Sequence, residues 1–144
     1  MFIRDQRFPI TDGTIIGTIR TKLIAKWSAT GLSTGTKLPA IKTRRMVILR
    51  DDSGTAVGRT QPKRQGVNIW ADDPIDALNM ALDVLHIAEK DLPGVKLSGV
   101  TIISATSGFF GPEEITDEPQ YVVASKNLTH YYVAFTATAK ALAA

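Results

Sequence analysis

Between residues 65 and 92 the spacing of apolar positions changes, and the change predicts two consecutive elements. Val67, Ile69 and Ala71 alternate with Asn68 and Trp70, the two-residue period of a strand with unlike faces. Beyond Ala71 the spacing lengthens. Asp73 predicts an N-cap, Pro74 fits the first helical position, and Asp76 places negative charge in the first turn. Leu78, Ala81, Leu85, Ala88 and Leu92 then recur at steps of three and four, flanked by Ile75, Ala77, Leu82 and Val84. Asp76, Asn79, Asp83, His86 and Lys90 are expected on the opposite face, and Pro93-Gly94 ends the helix. Such a helix is about 27 Å long. The two alanines in mid-stripe let it lie close to a sheet.

Upstream, residues 1–10 read as an extended lead-in. Thr11 or Asp12 is placed to cap a first helix with the stripe Ile15, Ile16, Ile19, Leu23 and Trp27, and with Arg20, Lys22 and Lys26 outside. Gly31 is its expected stop. Residues 31–43 form a loop or short extended crossing. Arg44 to Arg50 is a strand whose solid apolar centre suits the interior of a sheet. Asp51-Asp52-Ser53-Gly54 predicts a hairpin turn, and residues 55–66 return into the Val67–Ala71 strand.

Downstream, Lys96 to Ser107 is β-rich around Val100, Ile102 and Ile103. Residues 108–119, with two glycines, two prolines and four acids, predict no regular element. Gln120 to Thr138 is strand again, broken or bulged at Lys126-Asn127, with one of Tyr131 and Tyr132 in the core and the other at the surface. Residues 139–144 read as a loose tail. Successive strands without intervening helices argue against a doubly wound sheet. The expectation is one α+β domain over residues 1–144: a mainly antiparallel or mixed sheet of about four strands with two helices packed on one face.

A chain of 144 residues can bury a proper core, and 44% apolar with 22% charged residues is ordinary for a globular protein. No apolar run approaches a membrane span, and the N-terminus lacks an apolar signal core, so neither membrane insertion nor secretion is expected. The absence of cysteine removes disulfides, thiolate metal sites and cysteine nucleophiles. The net charge of +3 is unevenly spread. Residues 1–72 hold 13 Lys/Arg and 5 Asp/Glu, while residues 73–144 hold 4 and 9. Three outcomes fit: charges that mix in the folded chain, an asymmetric surface that meets a copy of itself, or a basic patch facing DNA.

Candidate chemistry is sparse. His86 and His130 lack partners at ligand spacing. Gly31-Leu-Ser-Thr-Gly-Thr-Lys37 fails the spacing of a phosphate loop. Ser104, Ser107 and Ser125 have no nucleophile-elbow context. Glu113, Glu114, Asp117 and Glu118 do not follow a calcium-loop pattern and read as a solvated acidic loop. Phe109-Phe110 before it are either packed under the loop or docked on a neighbour. Arg44, Arg45, Lys63 and Arg64 are basic without interleaved aromatics, which leaves phosphate contact open and sequence-specific recognition unsupported. No catalytic, cofactor or metal residue is assigned, and no enzyme is expected.

Several segments together resemble the tail terminator proteins of long-tailed phages, especially those of actinobacterial siphophages. They are an early helix, the basic crossing Thr36-Lys-Leu-Pro-Ala-Ile-Lys-Thr43, a basic-flanked strand into Arg50-Asp-Asp-Ser-Gly54, and Val67-Asn-Ile-Trp-Ala-Asp-Asp-Pro-Ile-Asp-Ala-Leu78. A Gly111-Pro112 loop then leads through an acid- and proline-rich stretch to Gln120-Tyr-Val-Val123 and a last strand. The likeness covers nearly the whole chain and lies in the order and spacing of these pieces. The Asp51–Ser53 turn and the Gln61–Lys63 run are less glycine-rich and less acidic than in that family, so another neck ring protein stays as the alternative. The resemblance implies a virion protein at the tail–neck junction, assembled in the host cytoplasm. It would form a ring, normally a hexamer, that caps the head-proximal end of the tail tube. There it ends polymerisation of the tube protein and presents a surface to the head–tail connector or stopper, with DNA passing through its bore. Lateral contacts are expected to bring Glu113, Glu114 and Asp117 of one subunit near Arg44, Arg45 or Arg64 of the next, with Phe109 and Phe110 at the same contact.

Overall fold

Both helices lie against the same face of a mixed sheet, as the sequence predicts for an α+β chain. The structure, a computed structural model, describes residues 11–27, 31–51, 60–97, 100–106, 111–116 and 120–141. Helix α1 spans Thr11–Trp27, strands β1 to β3 span Leu32–Gly35, Arg45–Asp51 and Thr60–Ala71, and helix α2 spans Pro74–Asp91. Strands β4 to β6 are Lys96–Leu97, Val100–Thr106 and Glu113–Ile115, β7 and β8 are Val122–Val123 and Lys126–Asn127, and β9 is Thr129–Ala141.

The sheet order is β1-β2-β3-β9-β5-β4, and only the β1–β2 pair is parallel. The long β3 and β9 form its centre, in register from Thr60↔Lys140 to Ala71↔Thr129. On the other side of β9, β5 pairs with Thr136–Ala141 and β6 with His130–Tyr132. A register shift between Ile102 and Ser104 bulges β5.

Alternation along the strands divides the core in two. Val47, Leu49, Val67, Ile69, Val133, Phe135 and Ala137 point to the helices and form the main cluster with Ile15, Ile19, Leu23, Met80, Val84 and Ile87. Met46, Ile48 and Trp70 point the other way and pack with Leu128, Tyr121 and Val123 beneath the β7–β8 hairpin.

Helix α1 buries Ile15, Ile19, Leu23 and Trp27 at steps of four, with Ile16 half-buried. It already includes Thr11 and Asp12, so neither is its cap. Helix α2 starts as predicted, with Asp73 Oδ1 accepting from the N–H groups of Ile75 at 2.8 Å and Asp76 at 3.3 Å. It ends at Leu92, and Gly94 at φ +92° turns the chain so that its N–H reaches the Ile102 carbonyl.

The inward face of α2 departs from expectation in part: Ala81, Ala88 and Leu92 of the expected stripe are buried, but Leu78 and Leu85 are not fully so. Met80, Val84 and Ile87 are buried beside Ala77, Ala81 and Ala88, whereas Ile75, Leu78 and Leu82 are 70%, 37% and 47% exposed and Leu85 is half-buried. The helix carries apolar residues around more than half its circumference, so spacing alone allows two stripes. The one with the three alanines faces the sheet, because small side chains let the backbones approach.

Other boundaries move as well. The crossing at 31–43 holds a real strand, β1. Strand β3 begins at Thr60 and takes Pro62 into the ladder opposite Thr138. Part of the acidic loop becomes β6. The break before the last strand falls at Ala124-Ser125, and Lys126-Asn127 is the return strand of the small hairpin. Residues 139–141 belong to β9, where Ala139 and Lys140 pair on both sides, with Ile102 and Thr101 of β5 and with Gln61 and Thr60 of β3. The expected lead-in and the turn at Ser53-Gly54 lie outside the described residues.

Candidate subunit interface

Helix α1 packs over β1 and β2, and α2 over β3, β9 and β5, so the helix layer has two outer flanks. The side chains between the helices are charged. Asp76, Asp83 and Asp91 stand on one side of α2, seven and eight residues apart. Lys26 Nζ lies 3.0 Å from Asp83, and Lys22 Nζ lies 4.0 Å from Asp91. Trp27 donates its indole N–H to Asp83 Oδ2 at 3.1 Å. Arg45 enters this seam from the first residue of β2. Its Nη2 lies 2.5 Å from Asp76 Oδ2, and its guanidinium stands 5.4 Å from the Trp27 ring centroid. Beside it, Arg44 Nε lies 2.8 Å from Asp72 Oδ2.

Each of these four ion pairs joins a base from the first half of the chain to an acid between residues 72 and 91. Three of them, all but Arg44–Asp72, cross between residues 1–72 and 73–144 and offset part of the asymmetry seen along the sequence. The expected intersubunit roles of Arg44 and Arg45 change accordingly. Arg45 is 4% exposed and is held by Asp76, while Arg44 keeps an exposed side chain but is held by Asp72. The sequence cue was present, since Asp72 and Asp76 flank the predicted N-cap, but pairing across 28 and 31 residues follows only from the β2–β3 register.

The remaining candidates are spread apart. Glu113 and Glu114 lie on β6 opposite Tyr132 and Tyr131, exposed and without an ion pair among the described residues. Arg64 is exposed on the sheet face away from the helices, which it shares with Arg50, whose guanidinium stands 5.9 Å from the Tyr132 ring. Tyr131 packs against the main core from the opposite face. Phe109, Phe110 and Asp117 lie outside the described residues. No group of three His, Asp or Glu side chains suited to a metal ion occurs among the described residues.

The histidines differ in setting. His86 is exposed on α2. His130 is buried, stacked on Trp70 at 4.2 Å between ring centroids, with Nε2 2.8 Å from Asn68 Oδ1 and the imidazole donating. Asn68 and His130 sit diagonally on neighbouring strands, two residues apart in register and on the same face, so the bond locks β3 to β9 under the hairpin. It is a structural contact that separation in sequence conceals.

No helix among the described residues is long and apolar enough to cross a membrane. No protein-family model matches the chain, and no curated protein matches it.

Proposed function

We propose that this chain is a structural subunit of a phage tail, a terminator that closes into a ring on the head-proximal end of the tail tube. The observation that carries the reading is the unlikeness of the subunit's two sides. One side presents α1 over the parallel edge strand β1, and the other presents α2 over β5, with the acidic strand β6 on the same side of β9 as β5. A contact between unlike sides repeats head to tail, and it closes into a ring when its rotation divides a full turn. A ring that fits the tube end on one face only admits no further layer of tube protein. The family-like sequence segments support the same reading. Arg45–Asp51, Val67–Leu78 and the final strand are neighbours in one unit, with Asp73 joining β3 to α2 as a cap.

The test adds purified chain to polymerising tube protein from the same phage and measures tube lengths by electron microscopy. Shortened tubes with a ring at one end are expected. Unchanged lengths would reject a terminator and favour another neck ring protein, such as a head-completion or connector protein. Arg50 and Arg64 on the open sheet face favour one further reading, contact with DNA backbone. Duplex affinity that falls steeply with salt would support it.

A further inference from the structure

We propose that the outer flank of α2, marked by Ile75, Leu78 and Leu82, is the seat for the outer flank of α1 of a second copy of this chain. The inference deepens the ring reading and rests on it. Three observations lead there. The first is the exposure of three large apolar side chains, at i, i+3 and i+7, on a helix whose core-facing side is already filled. Ile75 alone would be unremarkable at a helix start, but Leu78 and Leu82 continue it for two turns.

The second is direction. Asp76, Asp83 and Asp91 mark the side of α2 that meets α1 and Arg45. At 3.6 residues per turn, Leu78 and Leu82 stand roughly 130° to 190° round from the middle of that side, turned away from α1. The same geometry applies to α1. Lys22 and Lys26 face α2, and Ile24, 38% exposed, lies with Arg20 on the side turned away from it. Ile24 and Leu78 thus mark opposite outer flanks of the helix layer, and Leu82 and Ile75 continue the α2 patch onto its solvent side.

The third is charge. The Ile24 flank carries exposed Arg20, and Lys37 follows β1 on that side of the sheet. Beyond the Leu82 flank, the edge strand β6 exposes Glu114 on the helix side of the sheet, opposite Tyr131. Apolar meets apolar and basic meets acidic only when unlike flanks face each other, so the occupant is a second copy in head-to-tail order.

Leu82→Asp and Ile24→Asp each remove one flank at an exposed position, and thermal melts confirm that both variants fold. Native mass spectrometry then reads the assemblies. Wild type is expected as a ring and each variant alone as a single chain. An equal mixture of the two variants is expected to give a dimer and nothing larger, because one pair of intact flanks survives. Variants that keep the wild-type mass would overturn this surface while leaving the ring reading to its tube-length test. Discrete dimers from either variant alone would overturn head-to-tail order. A lowered melting temperature with unchanged assembly would make the stripe a seat within the chain and also overturn the inference. Rings that depend on both flanks yet leave tube length unchanged would uphold the surface and reject the terminator.

Discussion

Arg45 and Asp76 form a charge-assisted hydrogen bond of 2.5 Å that ties the start of β2 to the first turn of α2. The arginine side chain is 5% exposed and the aspartate 30%. A cation this deeply placed depends on its partner, because its desolvation is otherwise uncompensated. Asp76→Ala is expected to cost roughly 3 kcal/mol of unfolding free energy, read from urea melts. Combining it with Arg45→Met should recover most of that loss, since no buried charge then remains. A double variant as unstable as Asp76→Ala would show that the arginine contributes through packing alone.

Trp27 and Lys26 reach the same carboxylate, but their contributions should differ. The indole N–H is half-buried in the seam, whereas the Lys26 side chain is 61% exposed. Trp27→Phe keeps most of the apolar contact and loses a hydrogen bond to a charged acceptor, an expected cost of about 1–2 kcal/mol. Lys26→Ala should stay within about 0.5 kcal/mol, as exposed pairs do. Equal losses in the two melts would mean that the ion pair organises the site.

The two sides of α2 give a third contrast. Ala88 is fully buried against the sheet, so Ala88→Leu has no room and should cost about 1–3 kcal/mol. Leu82→Ala removes a larger group from an exposed position and should leave the stability of the single chain within about 0.5 kcal/mol. The spacing of apolar residues on its own would rank Leu82 with the buried stripe.

That contrast marks how far the sequence could be followed. Local signals fixed local structure well. Asp73 and Pro74 place the start of α2, Ile15 to Trp27 give the buried stripe of α1, and the run at 46–49 becomes an interior strand. What depends on pairing between distant segments was out of reach. Strand β6 exists because β9 offers it an edge, and Pro62 enters β3 because β9 extends alongside. The candidate interface was legible as a charge imbalance. Which charges face outward was not, because Asp72 and Asp76 meet Arg44 and Arg45 only through the β2–β3 register, and Asp83 and Asp91 meet their lysines only after the helices dock.

The hairpin over the second core cluster offers a gain in stability. Ala124 and Ser125 connect β7 to β8 at φ 51° and 65°, so both turn residues are left-handed without being glycine. A two-residue hairpin turn of this hand favours Asn-Gly, and an ordinary residue there costs of order 1 kcal/mol. Ala124→Asn with Ser125→Gly is therefore expected to stabilise the hairpin by about 1 kcal/mol and to slow amide exchange at Leu128, whose N–H donates to the Tyr121 carbonyl. Ser125→Pro should act oppositely, because the proline ring fixes φ near −65° and opens the turn. It would uncover Trp70 and Leu128, which the structure buries at 6% and 2% exposure, and raise the yield of tryptophan quenching by acrylamide. Unchanged quenching in the Ser125→Pro variant would show that the cluster is held by β9 and the sheet without the hairpin.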